Sequence, residues 1–351
     1  MSSKLADRGE SLNIGNDGAR DDGQARASKA DSMTSALSLA DYVEGFAQAD
    51  QPWPTTVPND EALEWWQMLP IQNGMEACWP YLSDALPQLL LPQKTQISGS
   101  DLYRRTVLGG QPPQAQSQPL EHPQELRIWI AEHPYGSMPV LATPWRKDFI
   151  WIVRALAHRG EPVTIDAGVH AQAISGLIHW GLIRELGPKT RARLIVLHDS
   201  PYGSVPAAEL PIGLDEEAWI KASSTLRLEH ELTHLATKCV LGEMRLNLLD
   251  ELIADTMGML AALGHYSADV FQRCLQGRWG TYVGQLSEDD AKAALAFCLL
   301  RAKELEDVLT DQLSPAADHR CLLPWLCRQR LDRPIEPLPS DEDLGEADCL
   351  N

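Results

Sequence analysis

The chain has 351 residues, 44 % apolar and 23 % charged, a globular composition long enough to bury a sizeable core. Its formal net charge of -19 leaves no basic stripe for phosphates, so nucleic acid is excluded as an expected partner. No apolar run reaches the roughly 18 residues of a membrane span, and the opening MSSKLADRGESLNIGNDGARDDGQ has no secretory h-region, so the expectation is a cytoplasmic protein with no membrane partner.

Residues 1–33 are rich in Ser, Gly, Asp and Ala and are expected to be disordered. A helical pattern begins in TSALSLADYVEGFAQ, with Leu37, Leu39, Tyr42, Val43 and Phe46 as its apolar members. NDEALEWWQML reads as a short helix capped by Asn59 or Asp60. GMEACWPYLSDALPQLLLPQ is interrupted by Pro80, Pro87 and Pro92, which predicts short helices and turns. Together these form a helical N-terminal region, 34–107, whose role is open between a lid, an inhibitory cover and a docking module for a protein partner. The paired tryptophans Trp65 and Trp66 suit core or docking surface. A Pro/Gln-rich linker, 108–124, follows.

After the linker, LRIWIAEH has the β-branched and aromatic content of a strand. TPWRKDFIWIVRALAHRG reads as a helix with Thr143 as cap, Pro144 in the first position and Gly160 as stop. VHAQAISGLIHWGLIREL reads as another helix, and RARLIVLHD as the clearest strand. Two similar loops, PYGSMP at 134–139 and PYGSVP at 201–206, close strands of one small sheet. The sharper reading hangs Tyr135 or Tyr202 over a substrate cleft. From about Asp215 to about Cys327 the chain is helical, including the long amphipathic EDDAKAALAFCLLRAKELEDVLTDQL. Residues 333–351 read as a disordered acidic tail. The seven cysteines are odd in number and contain no CxxC, so neither a disulfide framework nor a cysteine zinc site is expected, which fits a reducing compartment.

The chemistry concentrates in RLEHELTHLATKCVLGEMRLNLLDELIAD, Arg227 to Asp255. His230 and His234 are four apart, so on a helix both imidazoles point one way and can bind one cation at roughly 2.0–2.1 Å. Glu231 projects about 100° away around the axis, beside the open coordination position, where it can take a proton from water. A stable site needs a third protein ligand. If the first helix ends near Gly242 and a second returns antiparallel, capped by Asn247 with Asp250 in the capping-box position, level residues have a constant sum of numbers. His234 then faces Glu251, the third ligand, and His230 faces Asp255, which can fix its tautomer. Acids on so apolar a helix face would be costly to bury without such partners. A hairpin with a histidine–acid network and no metal, or an idle metal site, are the plainer alternatives.

HELTH followed by ELIAD resembles the HExxH…ExxxD signature of the gluzincin branch of the zincin metallopeptidases. The resemblance covers Arg227–Asp255 alone, and its short gap departs from gluzincins whose motifs lie far apart. It implies Zn2+ held by His230, His234 and Glu251, Glu231 as general base, and Asp255 orienting His230. It implies an α+β, mainly helical, zincin-like fold, with a small sheet beside an active-site helical hairpin, in a catalytic domain at 125–332. By analogy a peptide would lie along RARLIVLHD or its neighbour LRIWIA by β-addition. The implied activity is zinc-dependent hydrolysis of a peptide or protein substrate. The alternatives are a catalytically idle scaffold with a structural metal, or a zinc hydrolase of a non-peptide amide.

An oxyanion donor is also required, and His265, Tyr266, Arg278, Tyr282 and His319 are the downstream candidates. Arg278 and Tyr282, four apart, are taken as the catalytic pair. Arg245 is expected to hold helix ends or acids. His198-Asp199 reads as a turn, and His122, His133, His158, His170 and His179 show no ligand spacing. No G-x-S-x-G, P-loop or G-x-G-x-x-G is present.

Overall fold

The computed structural model describes residues 37–54, 57, 60–112, 120–313 and 319–339, the side chain of residue 319 excepted. The expected disorder of 1–33, the Asn59 cap, much of the linker and the tail beyond 339 lie outside these residues. Within them the architecture is α+β, with a small mixed sheet between helical layers.

The N-terminal helices are α1 (Leu39–Tyr42), α2 (Ala62–Gln67), α3 (Met75–Ala85) and α4 (Asp101–Tyr103), which runs on into a π-turn over Arg104–Leu108. The expected helix around Tyr42 is one turn only. Beyond it the backbone bonds to distant segments: the Val43 carbonyl accepts from Leu331 N–H at 3.3 Å and the Gly45 carbonyl from Arg245. Asp60 Oδ1 accepts from Ala62 N–H at 3.0 Å and so starts α2. Pro80 does not break its segment but sits inside α3. The carbonyl it fails to pair, on Glu76, is on an exposed face where water can replace the lost bond.

Next come β1 (Arg127–Ala131), β2 (Met138–Thr143), α5 (Arg146–Leu156), β3 (Ala171–Leu177), α6 (Trp180–Leu186) and β4 (Ala192–His198). The sheet order is β1-β2-β4-β3, with β2 and β4 parallel and both outer pairs antiparallel. Two elements depart from expectation. MPVLAT is a strand, buried at every residue; a strand covered on both faces shows no alternation, and Pro139 disguises it further. AQAISGL is a strand where a helix was expected. Its register shifts between Ile174 and Leu177, and Gly176 takes φ 73°. That bulge turns two residues three apart toward one core, which imitates helical spacing. α5 starts after Trp145, with Thr143 Oγ1 accepting from Trp145 N–H at 3.1 Å, so Pro144 precedes the helix.

Alternate residues of β4 serve two cores. Leu194 and Val196 face α3 and α5, whereas Ile195 and Leu197 meet Leu228, Leu232 and Leu235. Those leucines belong to α7 (Glu216–Leu241), followed by α8 (Leu248–Leu263), α9 (Ala268–Leu275), α10 (Glu288–Gln312) and α11 (Leu322–Cys327). Every residue of α8 from Leu248 to Leu260 is buried. No helix among the described residues is long and apolar enough to cross a membrane. Cys321 is disulfide-bonded, a departure from the all-thiol expectation, while Cys78, Cys239, Cys274, Cys298 and Cys327 are free. Residues 335–338, assigned to the tail, run along α10 and α11: Ile335 N–H donates to Glu304 at 2.9 Å and Leu338 N–H to Gln312 at 2.8 Å.

The α7–α8 contact is backbone-close. A Cβ on Gly258 would lie 2.6 Å from the Leu226 carbonyl oxygen. Gly258→Ala must push the helices apart and is expected to cost about 1–3 kcal/mol. Gly99→Ala, where a Cβ meets nothing within 4 Å, should stay within about 0.5 kcal/mol of wild type. Urea unfolding of both variants measures the difference; equal midpoints would remove the close-packing argument.

Candidate metal centre

α7 is long because it is well begun and cleanly stopped. Asp215 accepts from Ala218 N–H at 2.8 Å at its start, and Gly242 closes it in the left-handed region at φ 73°. The chain reverses, and Asn247 caps α8 by accepting from Asp250 N–H at 3.0 Å. Asp250 answers by accepting from Leu246 N–H at 2.9 Å, one residue earlier than a capping box requires. Arg245 holds the turn to the N-terminal segment through the carbonyls of Gly45 and Asp41, the latter at 3.2 Å.

The hairpin brings the mirrored residues level. His230 Nδ1 lies 2.7 Å from Asp255 Oδ1, so it donates to that carboxylate and its Nε2 is left as a lone-pair donor. His234 Nδ1 lies 3.2 Å from Asp250 Oδ1, within ion-pair distance. The two Nε2 atoms converge at 3.0 Å, and Glu251 Oε1 stands 3.4 Å from His234 Nε2. Glu251 Oε2 is 3.7 Å from His230 Nε2. A tetrahedral ion with bonds of roughly 2.0–2.1 Å holds its ligands about 3.3–3.4 Å apart. The His230–His234 edge and the edge from His234 to Glu251 Oε1, 3.0 and 3.4 Å, fall close to that spacing. Donor atoms of His230, His234 and Glu251 all lie within 4.8 Å of one another, the one such group among the described residues.

Charge gives a second test of fit. Asp250, Glu251 and Asp255 are buried, and Arg278 is the cation bonded to two of them. Three carboxylates against one guanidinium leave two negative charges when both imidazoles are neutral, which a divalent ion balances. Without an ion, His234 is the group that gains positive charge. Burial works against a charged His234, yet Asp250 and Glu251 outweigh it and raise its pKa well above the usual value. Burial would raise Glu251, but His230, His234 and Arg278 hold it well below the carboxylate range. The donor set therefore fits a small divalent cation in size, type and charge.

Glu231 is half-buried, follows His230 on α7 and so projects about 100° away from it around the helix axis, and its carboxylate makes no hydrogen bond among the described residues. Arg278 and Tyr282 do come together, across a 3-10 turn rather than on a helix: Arg278 Nη1 is 3.2 Å from the Tyr282 hydroxyl. Arg278 also donates to Glu251 Oε2 at 3.1 Å, Asp255 Oδ2 at 2.9 Å, the Tyr202 hydroxyl at 3.0 Å and the Cys274 carbonyl at 3.4 Å. A guanidinium has five N–H groups, and here each has an acceptor, so none is left for a substrate oxyanion.

The remaining candidates lie elsewhere. His265 is exposed beside the Leu263 carbonyl, Tyr266 is buried against Phe271, and the His319 side chain is outside the described residues. Tyr135 packs edge-on to Trp53 with centroids 5.0 Å apart. Tyr202, by contrast, enters the centre from behind. Its hydroxyl donates to Asp255 Oδ1 and lies 3.0 Å from His230 Nδ1. It is aimed by Arg227, which binds the carbonyls of His198, Ser200 and Pro201 at 3.1, 3.1 and 3.3 Å. His198 pairs with His170, Nδ1 to Nδ1 at 3.0 Å. Burial, then Arg227, pushes His170 down to about 3; burial, then Arg146, pushes His198 down to about 4, so this pair is neutral at pH 7.

Sequence spacing missed Asp250 as a histidine partner, although Asp250 carried a signal, since it precedes Glu251 in the same helical turn. Tyr202 was singled out from its PYGS loop as a cleft residue; its place behind His230 and Asp255 was not readable, because it depends on how that loop packs on α7 and α8.

A model of the family of unknown function DUF7005 matches residues 27–192 and 189–278, most of the chain, which belongs to that family. No curated protein and no solved structure matches it.

Zn2+ at 100 times its dissociation constant should stabilise the fold by about 2.7 kcal/mol, an increment that His234→Ala abolishes. Asp250→Asn should weaken zinc binding about 10–100-fold. Thermal melts with and without zinc, and a competition titration, check both. An unchanged melt would remove the ion from the centre.

Proposed function

We propose that this DUF7005 member is a zinc-dependent hydrolase of peptide bonds. The carrying observation is the convergence of the His230, His234 and Glu251 donors, and what adds to it is Glu231, the half-buried residue next to His230 in HELTH. A purely structural site has no use for that fourth group. Bound there, zinc supplies Lewis acidity toward a carbonyl and a water more readily deprotonated near pH 7.

The chain's own residues do the rest. Glu231 takes the proton of the attacking water as oxygen bonds to the carbonyl carbon. It returns that proton to the leaving nitrogen as the C–N bond breaks, giving an acid and an amine. Asp255 and Asp250 keep both imidazoles turned with Nε2 toward the centre. Of the two expected oxyanion donors, Tyr282 is retained as the candidate: burial, then the Glu251 carboxylate, hold its pKa far above neutrality, so the phenol stays protonated.

Substrate would lie along β3. β4 is internal, paired on both sides, and cannot accept another strand. Of the two edges, β1 packs against α2, whereas β3 packs against α7, which carries the motif. An extended peptide added to β3 uses main-chain hydrogen bonds alone, so sequence selectivity would come from side-chain pockets.

Purified protein is expected to hold one zinc per chain and to cleave members of an unbiased peptide library. Glu231→Gln should keep the zinc and lose cleavage by about 100-fold or more. Cleavage that survives the substitution sinks the general-base assignment. Zinc retained with no cleavage of any peptide favours a scaffold with an idle metal.

A further inference from the structure

We propose that Arg278 is a positioning residue that presents Glu251 to the metal through one oxygen only; this rests on the metal centre proposed above. The guanidinium divides each acid in two. It holds Glu251 Oε2 at 3.1 Å, and Oε1 is left turned to His234 Nε2 at 3.4 Å. It holds Asp255 Oδ2 at 2.9 Å, and Oδ1 is left for His230 Nδ1 at 2.7 Å. Glu251 and Asp255 are one helical turn apart, and a single planar fork spans them.

The fork is itself fixed. The hydroxyls of Tyr202 and Tyr282 and the carbonyl of Cys274 take its other N–H groups, and it stacks over the Tyr202 ring at 5.1 Å. The backbone N–H of Arg278 donates to the Leu275 carbonyl at 2.9 Å, so the turn after α9, not the α7–α8 hairpin, sets where the fork stands. A third element thereby determines the aim of a ligand borne by the second.

Charge alone would act with the opposite sign. A cation beside a ligand carboxylate repels a divalent ion, so a merely electrostatic Arg278 would weaken binding, and its removal would strengthen it. A positioning Arg278 does the reverse. Lysine separates the two, because it keeps the charge but is a point donor that cannot bridge both acids.

The experiment loads Co2+ into wild-type, Arg278→Lys and Arg278→Gln full-length protein, each first checked for folding by circular dichroism. Visible spectra report the coordination number, and zinc affinity is measured by competition. Both variants are expected to show a weaker, shifted cobalt band as Glu251 turns both oxygens to the ion, with zinc affinity about 10–100-fold lower. Tyr202→Phe, which removes one bond aiming the fork, should move the band the same way by less; it serves if the arginine variants do not fold. Variants with the wild-type band, or with tighter zinc binding, overturn the proposal while leaving the metal centre standing. No cobalt uptake by the wild type overturns both.

Discussion

Three carboxylates lie on a helix that is buried on every side, and the structure around them is arranged to make that tolerable. Asp250, Glu251 and Asp255 fall within the first two turns of α8. An unpaired buried charge costs several kcal/mol, and breaking a buried pair typically costs about 3–5 kcal/mol. Each acid therefore has a cationic or imidazole partner: His234 for Asp250, both histidines and Arg278 for Glu251, His230 and Arg278 for Asp255. Two partners come from α7, and the third from the turn after α9. The candidate donor set is thus also the electrostatic solution to placing α8 in the core.

That solution depends on distance, and distance on small features. Gly258 lets α7 and α8 approach at the level of Leu226. Asn247 and Gly242 set where one helix stops and the next starts, which puts the mirrored residues level. The N-terminal segment braces the same turn: the Tyr42 hydroxyl accepts from Leu248 N–H at 2.9 Å, and Glu243 accepts from Ala47 N–H at 2.7 Å. On the opposite side, Arg227 ties the end of β4 to α7 one turn before His230 and steers Tyr202 into the network. Sheet, hairpin and N-terminal turn thus meet on one polar cluster.

Much of the centre was legible in advance because it is local. His230, His234, Glu251 and Asp255 lie within one helical hairpin, where the 3.6-residue period and one reversal convert spacing into position. Asp250 was legible as a cap and not as a partner of His234, since capping and histidine contact call on the same side chain. The sheet was harder. β2 lacks alternation because both its faces are covered. β3 imitates a helix because its bulge brings Ile174 and Leu177 onto one side. Both strands take their character from neighbours rather than from their own pattern.

By itself the sequence determined which side chains could share a face: i and i+4 donors, a glycine stop, an asparagine start, and acids that apolar surroundings would not accept unpartnered. Only the tertiary structure decided which distant groups complete the set. Tyr202 and Arg278 stand far from the hairpin along the chain, and nothing periodic links them to it. They arrive because β4 ends, and α9 turns, beside the same buried acids, whose remaining carboxylate oxygens they supply with hydrogen bonds.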